Sequence, residues 1–454
     1  MSARTLSARF HLLALAAAAA LAGPAAANTL TGWAQMPAAT FSDGPTSGQF
    51  AFTNASSPAN NPQYVNLQPV QGFSGVLNGA NGSFHMLVDN GFGSKANSPD
   101  ALLRMYAVQV DWNAKSVSAA DWTTGATLGN FSAASRITLR DPHGVLTGMG
   151  INTVYSGTQY PGSAVAVDAA IGTGKLLTGG DLDLESVRRD GNGNLWFGEE
   201  FGPFLVKTDA TGVVQGVFRT PNVLGLGANA FVQSPQNPIP TGANNLPGSG
   251  GFEGMAINPA GDKLYTLLEK SVAGDAAGTL RINEFSIDSE SYTGASFRYK
   301  LDAAGVAIGD MTALNDHEFI IIERNNATAT GGGTPFKKLF RIDINRVDAQ
   351  GYVSKTELVD LMNIADPNDL NGDGKTSFTF PFVTIESVLV LDANTLLIAN
   401  DNNYPGTGGR DLGSDNTEFL KIQLANPVPE PSSYAMLLGG LGLMGAWLRR
   451  RKSV

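Results

Sequence analysis

Apolar and polar positions alternate along most of this chain in short runs, each closed by Gly, Asn, Asp or Pro. No long stretch repeats apolar residues at i, i+3 and i+4, so amphipathic helices are not expected. Five segments share one pattern: a short strand, a polar turn, a strongly apolar strand, and a loop rich in Gly, Asn and Pro. They are "GFSGVLNGANGSFHMLVDNGFG" from Gly72, "DLDLESVRRDGNGNLWFGEEFGPF" from Asp181, "GFEGMAINPAGDKLYTLLEKSVAG" from Gly251, "IGDMTALNDHEFIIIERNN" from Ile308 and "TIESVLVLDANTLLIANDNNYPG" from Thr384. Turns such as "RDGNGN" and "LDANT" suit tight antiparallel connections. A third alternating strand follows each hairpin, as in "LLRMYAVQVDW", "FLVKTD", "LRINEFSID", "KLFRIDIN" and "FLKIQL". Repeated units of three or four antiparallel strands predict an all-β protein, a β-propeller in one domain. Six blades are expected, the sixth from about Asp111 to Thr178 together with the N-terminal strands.

The pattern is broken at fixed places by carboxylates. Four units carry an acid in the first strand and another at the end of the second: Glu185 with Glu200, Glu253 with Glu269, Asp310 with Glu323, and Glu386 with Asp401. In the first unit Ser74 or Gly75 takes the first position and Asp89 the second. In a propeller the inner strands surround one channel, so equivalent positions face one another across it. A confined ring of acids must share protons, pair with cationic side chains or bind cations. Calcium suits an oxygen-only ligand set. For any single acid, capping a strand end or binding loop amides is an equal alternative.

Charge and composition narrow the chemistry. The chain has 40 acidic and 30 basic residues, a formal charge of −10, and no cysteine. Setting aside the basic residues at its two ends makes the remainder more acidic still, which argues against nucleic acid as a partner. Disulfides and thiolate metal sites are excluded. Beyond the first 27 residues the histidines are His85, His143 and His317, without the i, i+4 spacing of a zinc site. There is no G-x-S-x-G elbow, and "GTGKLLTG" from Gly172 lacks P-loop spacing.

The ends read as addresses. Arg4 and Arg9, the run "LLALAAAAALA" and Ala25-Ala26-Ala27 form a secretory signal over residues 1–27. Residues 426–454 hold Val428-Pro429-Glu430-Pro431, an apolar run over 433–448 and the basic cluster Arg449, Arg450, Arg451 and Lys452. The run is somewhat short for a membrane-spanning helix, and the basic residues would stay on the cytoplasmic side. This tail resembles the PEP-CTERM sorting signal of Gram-negative bacteria. That resemblance implies an exosortase-type processing enzyme as partner, often in cells that export polysaccharide; a plain membrane anchor is the alternative. Residues 28–425 are then the exported body, first anchored at the cell envelope and afterwards at the surface or outside.

The segments "LTGGDLDLESVRRDGNGNLWFGEEFGPFLVKTDATG", "GGFEGMAINPAGDKLYTLLE", "AIGDMTALNDHEFIIIERNN", "FPFVTIESV" and "IANDNNYP", in this order, resemble the phytase-like family, described by an esterase-like activity of phytase. The likeness runs from about Asn61 to Leu424. It implies a propeller and a phosphoester hydrolase acting outside the cytoplasm, with no settled catalytic residues to carry over. The candidate catalytic acids are Glu185, Glu253 and Glu323. Candidate calcium ligands are Glu185, Glu200, Glu253, Glu269, Asp310, Glu386 and Asp401. Arg324 is a candidate phosphate contact, with a salt bridge to a neighbouring channel acid as the slightly favoured alternative; Arg188 and Arg189 are expected nearer the surface. Asp369, Asn371, Asp373 and Gly374 begin like an EF-hand loop, but position twelve is Phe380, so this is a calcium loop or a solvated turn. Two other functions remain open: a non-catalytic, calcium-stabilised propeller that binds extracellular polysaccharide or a surface partner, and a calcium-dependent lactonase or carboxylesterase.

Overall fold

Apolar stretches such as "EFIIIER", in which every residue is buried, require a strand covered on both faces, and the structure supplies five such layers. It is a computed structural model, and it describes residues 27–51, 64–224 and 229–428. The first blade pairs Phe73–Asn78, Phe84–Val88, Arg104–Asp111 and Ser116–Ala119. The second pairs Leu184–Arg189, Leu195–Glu199, Phe204–Thr208 and Val214–Arg219. The third is Phe252–Ile257, Lys263–Leu268, Thr279–Ser286 and Ser291–Lys300. The fourth is Ala307–Ala313, Glu318–Arg324, Lys337–Val347 and Val353–Asp360. Ile385–Asp392, Thr395–Asn400 and Thr417–Gln423 make the fifth, and its outer strand is the N-terminal Thr29–Met36, antiparallel to Thr417–Gln423.

The innermost strands touch in the order one, two, three, four, five and back to one, which closes the ring of a β-propeller. Five hydrophobic clusters fill the five gaps between neighbouring blades. Because successive strand residues face opposite sides, Phe319 and Ile321 pack towards blade three while Ile320 and Ile322 pack towards blade five. Close approach of the blades needs small residues at the axis. A Cβ at Gly309 would collide with the carbonyl oxygen of Ile385 in the next blade.

The sixth blade expected from Asp111 to Thr178 is not found among the described residues. That stretch supplies the outer strand of blade one, one short strand at Arg136–Thr138 and brief helical turns. Its apolar residues, among them Leu139, Leu146, Tyr155 and Leu177, thicken the cluster between blades one and two. The N-terminal strand completes blade five instead. The expected secretory signal (all but its last residue) and the apolar run at 433–448 lie outside the described residues. Among the described residues no helix is long and apolar enough to cross a membrane.

Candidate functional site

All five inner strands carry a β-bulge near their first residues. Pairing skips from Phe73 to Gly75, from Leu184 to Ser186, from Phe252 to Gly254, from Ile308 to Met311 and from Ile385 to Ser387. The skipped residues are Ser74, Glu185, Glu253, the pair Gly309–Asp310, and Glu386. A bulge leaves its extra residue out of the ladder and re-aims its side chain, which is how acids leave the apolar alternation and converge on the axis. The residues that follow the last pairing of the second strands are Asp89, Glu200, Glu269 and Asp401, and in blade four Arg324 occupies the corresponding place at the strand end.

The acids sit at one end of the channel and are almost wholly buried. Asp183, Glu185 and Glu200 offer oxygens within 4.8 Å of one another, and so do Glu200, Glu253 and Glu269. Ser74 donates to Glu386 Oε2 at 3.1 Å. The amide of Gly91 donates to Asp89 Oδ1 at 2.7 Å, and that of Asn403 to Asp401 Oδ1 at 2.7 Å. Above Asp89 and Asp401 opens a pocket of about 370 Å³, lined also by Gln71, Phe92, Asn403 and Tyr404.

Burial and mutual repulsion push Asp89, Asp183, Glu185, Glu200, Glu253 and Glu386 upward. Burial is the larger cause throughout. To it are added Asp401 acting on Asp89, Glu200 on Asp183, Asp183 on Glu185, Glu185 on Glu200, and Glu386 on Glu253. Glu386 is pushed up to about 8 by burial and by Asp401. Arg324 lies in their midst, 3.7 Å from Glu253, 3.6 Å from Glu269 and 3.5 Å from Glu386. Burial works against its charge, yet those three acids hold it above the ordinary arginine value. One guanidinium cannot balance the whole set. Among the described residues Asp183 Oδ1 and Glu253 Oε2 are buried without a hydrogen-bond partner, so a hard, oxygen-seeking cation fits this donor set.

The structure gathers Glu185, Glu200, Glu253, Glu269, Glu386, Asp401 and Arg324, and it separates the other candidates from them. Glu323, expected beside the channel acids, points the other way: it accepts from Tyr299, from Lys355 at 2.5 Å and from the amide of Asp302 at 2.7 Å. Asp310, expected as a ligand, is consumed by other partners. It accepts from Arg188 at 2.9 Å and from the amides of Met311 at 2.7 Å and Val388 at 3.2 Å. Arg188, expected near the surface, is 5% exposed and reaches across the axis from blade two to blade four. Asp369, Asn371 and Asp373 lie in an exposed loop between Ile364–Ala365 and Ser377–Phe378, on the outer side of blade five. There Asp369 accepts from Gly374 at 3.1 Å, Asn371 from the Asp373 amide at 3.4 Å, and Asp373 pairs with Lys375 at 3.2 Å. Sequence reasoning missed Asp183, although it stands two residues before Glu185, the spacing that shares a face in extended chain.

A protein of Arthroderma benhamiae called an uncharacterized secreted protein is 29% identical over 160 residues, which span 30% of this chain and 30% of that protein. The chain therefore matches under a third of that relative's length. An α-L-arabinofuranosidase from Podospora anserina is similar over 87% of this chain and 99% of its own, at 11% identity and a TM-score of 0.36. The PQQ-bound aldose sugar dehydrogenase from Streptomyces coelicolor is similar over 89% and 100%, at 11% identity and a TM-score of 0.32. Likenesses of that size add nothing to the strand pairing described above. Residues 427–452 match the PEP-CTERM protein-sorting motif. Residues 68–404 match the family described as phytase-like, esterase-like activity of phytase, and that span holds every channel acid. The chain belongs to the phytase-like family.

Proposed function

We propose that this protein is an exported phosphoester hydrolase that works with calcium at the acidic end of its channel. The supporting observation is the convergence of buried, under-compensated carboxylates on the single guanidinium of Arg324. Asp183, Glu185, Glu200, Glu253 and Glu269 would hold the cation, which when bound supplies charge neutralisation for phosphate oxygens and a more acidic water. Arg324 offers a forked contact to a phosphate. With Glu323 withdrawn to Tyr299 and the Asp302 amide, the candidate catalytic acids reduce to Glu185 and Glu253, which would act as cation ligands. The family label supports an ester as substrate. The sorting motif supports recognition by an exosortase-type enzyme and a place at the cell envelope.

A second reading is favoured by the pocket above Asp89 and Asp401. Among the described residues its lining holds Phe92, Tyr404, Gln71 and Asn403 but no basic side chain, a surface suited to a neutral hydroxylated ligand such as exported polysaccharide. One assay separates the two: release of product from a phosphomonoester, a phosphodiester and a carboxyl ester, with calcium and with chelator, the fold being followed by circular dichroism. Calcium-dependent phosphate release that falls at least a hundredfold in Glu253→Gln and Arg324→Gln, with the fold retained, is the expected result. Calcium that raises the melting temperature without turnover of any ester would leave the polysaccharide-binding propeller. Turnover of the carboxyl ester alone would move the activity to esterase or lactonase chemistry.

A further inference from the structure

We infer that the acidic end holds two divalent cations in unequal sites that share Glu200, and that Arg324 makes the second site the weaker. The inference rests on the calcium reading above and goes beyond it in number, order and cause. The two carboxylate groups overlap at one residue only: Asp183, Glu185 and Glu200 form the first, and Glu200, Glu253 and Glu269 the second. Each contains one buried oxygen without a hydrogen-bond partner among the described residues, Asp183 Oδ1 in the first and Glu253 Oε2 in the second. An orphaned carboxylate oxygen in each group is difficult to sustain unless a cation meets it. A carboxylate has two oxygens, so Glu200 can serve both groups at once.

The two groups differ in what already surrounds them. No cationic side chain forms a salt bridge with Asp183, Glu185 or Glu200 among the described residues. In the second group Glu253 and Glu269 face Arg324 at 3.7 and 3.6 Å, and Lys270 lies 2.8 Å from Glu269. A cation entering there meets carboxylates partly neutralised and a guanidinium of like charge a few ångströms away. The first site therefore fills first. The second fills at higher calcium, or when something draws Arg324 off Glu253 and Glu269. An anionic ligand on Arg324 would do that, so anion and second cation should favour each other.

The test is calcium binding to the intact, metal-free protein, counted by equilibrium dialysis and resolved by titration calorimetry. Two ions per chain are expected, in steps at least tenfold apart in Kd. Arg324→Gln should tighten the weaker step at least tenfold and leave the tighter one in place, whereas Arg324→Lys, which keeps the charge, should resemble the unmodified protein. Asp183→Asn should remove the tight step. Asp373→Ala should change neither, which keeps the exposed loop out of the count. One ion per chain, or a weaker step unmoved by Arg324→Gln in protein of unchanged circular dichroism, would overturn the inference while sparing the calcium reading. No bound calcium would overturn both. Two ordered ions without ester turnover would uphold the inference and remove the hydrolase.

Discussion

The same five inner strands line both ends of the channel, and the two ends could hardly differ more. At the bulged end, acids from four blades crowd together with Arg324 as the guanidinium among them. At the other end the strands run out through Val76, Leu77, Ile257, Ala313, Leu389 and Val390, around a hollow of about 310 Å³ that Arg188 and Arg189 also line. Asp310, which Arg188 reaches across the axis, has that guanidinium on one oxygen and backbone amides on both. Charge that is fully partnered belongs to the scaffold; charge left over is available to a ligand. The contrast also shows why position in a repeat does not assign a role. Asp310 and Glu253 both sit in bulges, and only the partners tell them apart.

The sharpest way to break this contrast is to remove a partner at the satisfied end. Arg188→Ala strands Asp310 in a site of 0% exposure, and about 3–5 kcal/mol of stability should be lost in denaturant unfolding. A loss under 1 kcal/mol would mean that the bridge across the axis is not structural.

The acidic end should respond to pH instead. Glu386 is pushed up to about 8, and Glu199, which precedes Glu200 and accepts from the amides of Asp183, Phe201 and Gly202, to about 7, in both cases chiefly by burial. With folded values above the ordinary 4.5, the native chain retains protons that the unfolded chain has released. Stability from these groups is therefore full below about pH 4.5 and is lost as pH climbs towards 8. Melting curves in chelator should fall steadily between pH 5 and 8, and calcium should flatten that fall. A melting temperature that rises over this range in chelator would show the channel acids to be compensated after all.

Carboxyl-to-amide changes should then have opposite signs at an under-partnered acid and at a partnered one. In chelator at pH 8, Glu253→Gln relieves repulsion and should add about 1 kcal/mol, whereas Asp310→Asn should subtract at least that much. Equal signs would erase the distinction. The smallest effect is expected outside the channel altogether: Asp373→Ala, in its exposed loop, should shift unfolding by no more than about 0.5 kcal/mol with or without calcium.

Much of this was visible before any coordinates. The inner, middle and third strands of all five blades follow from short apolar runs and alternating segments set between Gly and Asn turns, because strands buried on both faces leave continuous apolar runs such as "EFIIIER". The blade count was not, because the apolar residues of Leu139 to Leu177 read like strands while serving as a lid of loops on one inter-blade cluster. The carboxylate ring was legible as a repeat, but its register in blade four was not. Matching acid to acid sets Glu323 beside Glu200 and Glu269. In the sheet Glu323 pairs with Ile308 as Leu268 pairs with Phe252 and Asn400 with Ile385, and the next residue, Arg324, is the one that faces the axis. A shift of one residue exchanges the two faces of a strand, and nothing in the residue types alone fixes it.

The N-terminal strand raises a matter of timing. Thr29–Met36 pairs along its length with Thr417–Gln423 and touches Ser116 and Ala365 at single positions, and Trp33 donates to Glu418 at 2.9 Å across 385 positions of sequence. A chain that emerges from its N-terminus must carry most of this strand unpaired while four blades are delivered, with its edge open to wrong neighbours. The propeller is a clasp whose first half precedes the four complete blades and whose second half follows them, so the ring can lock only after Thr417–Gln423 has been delivered.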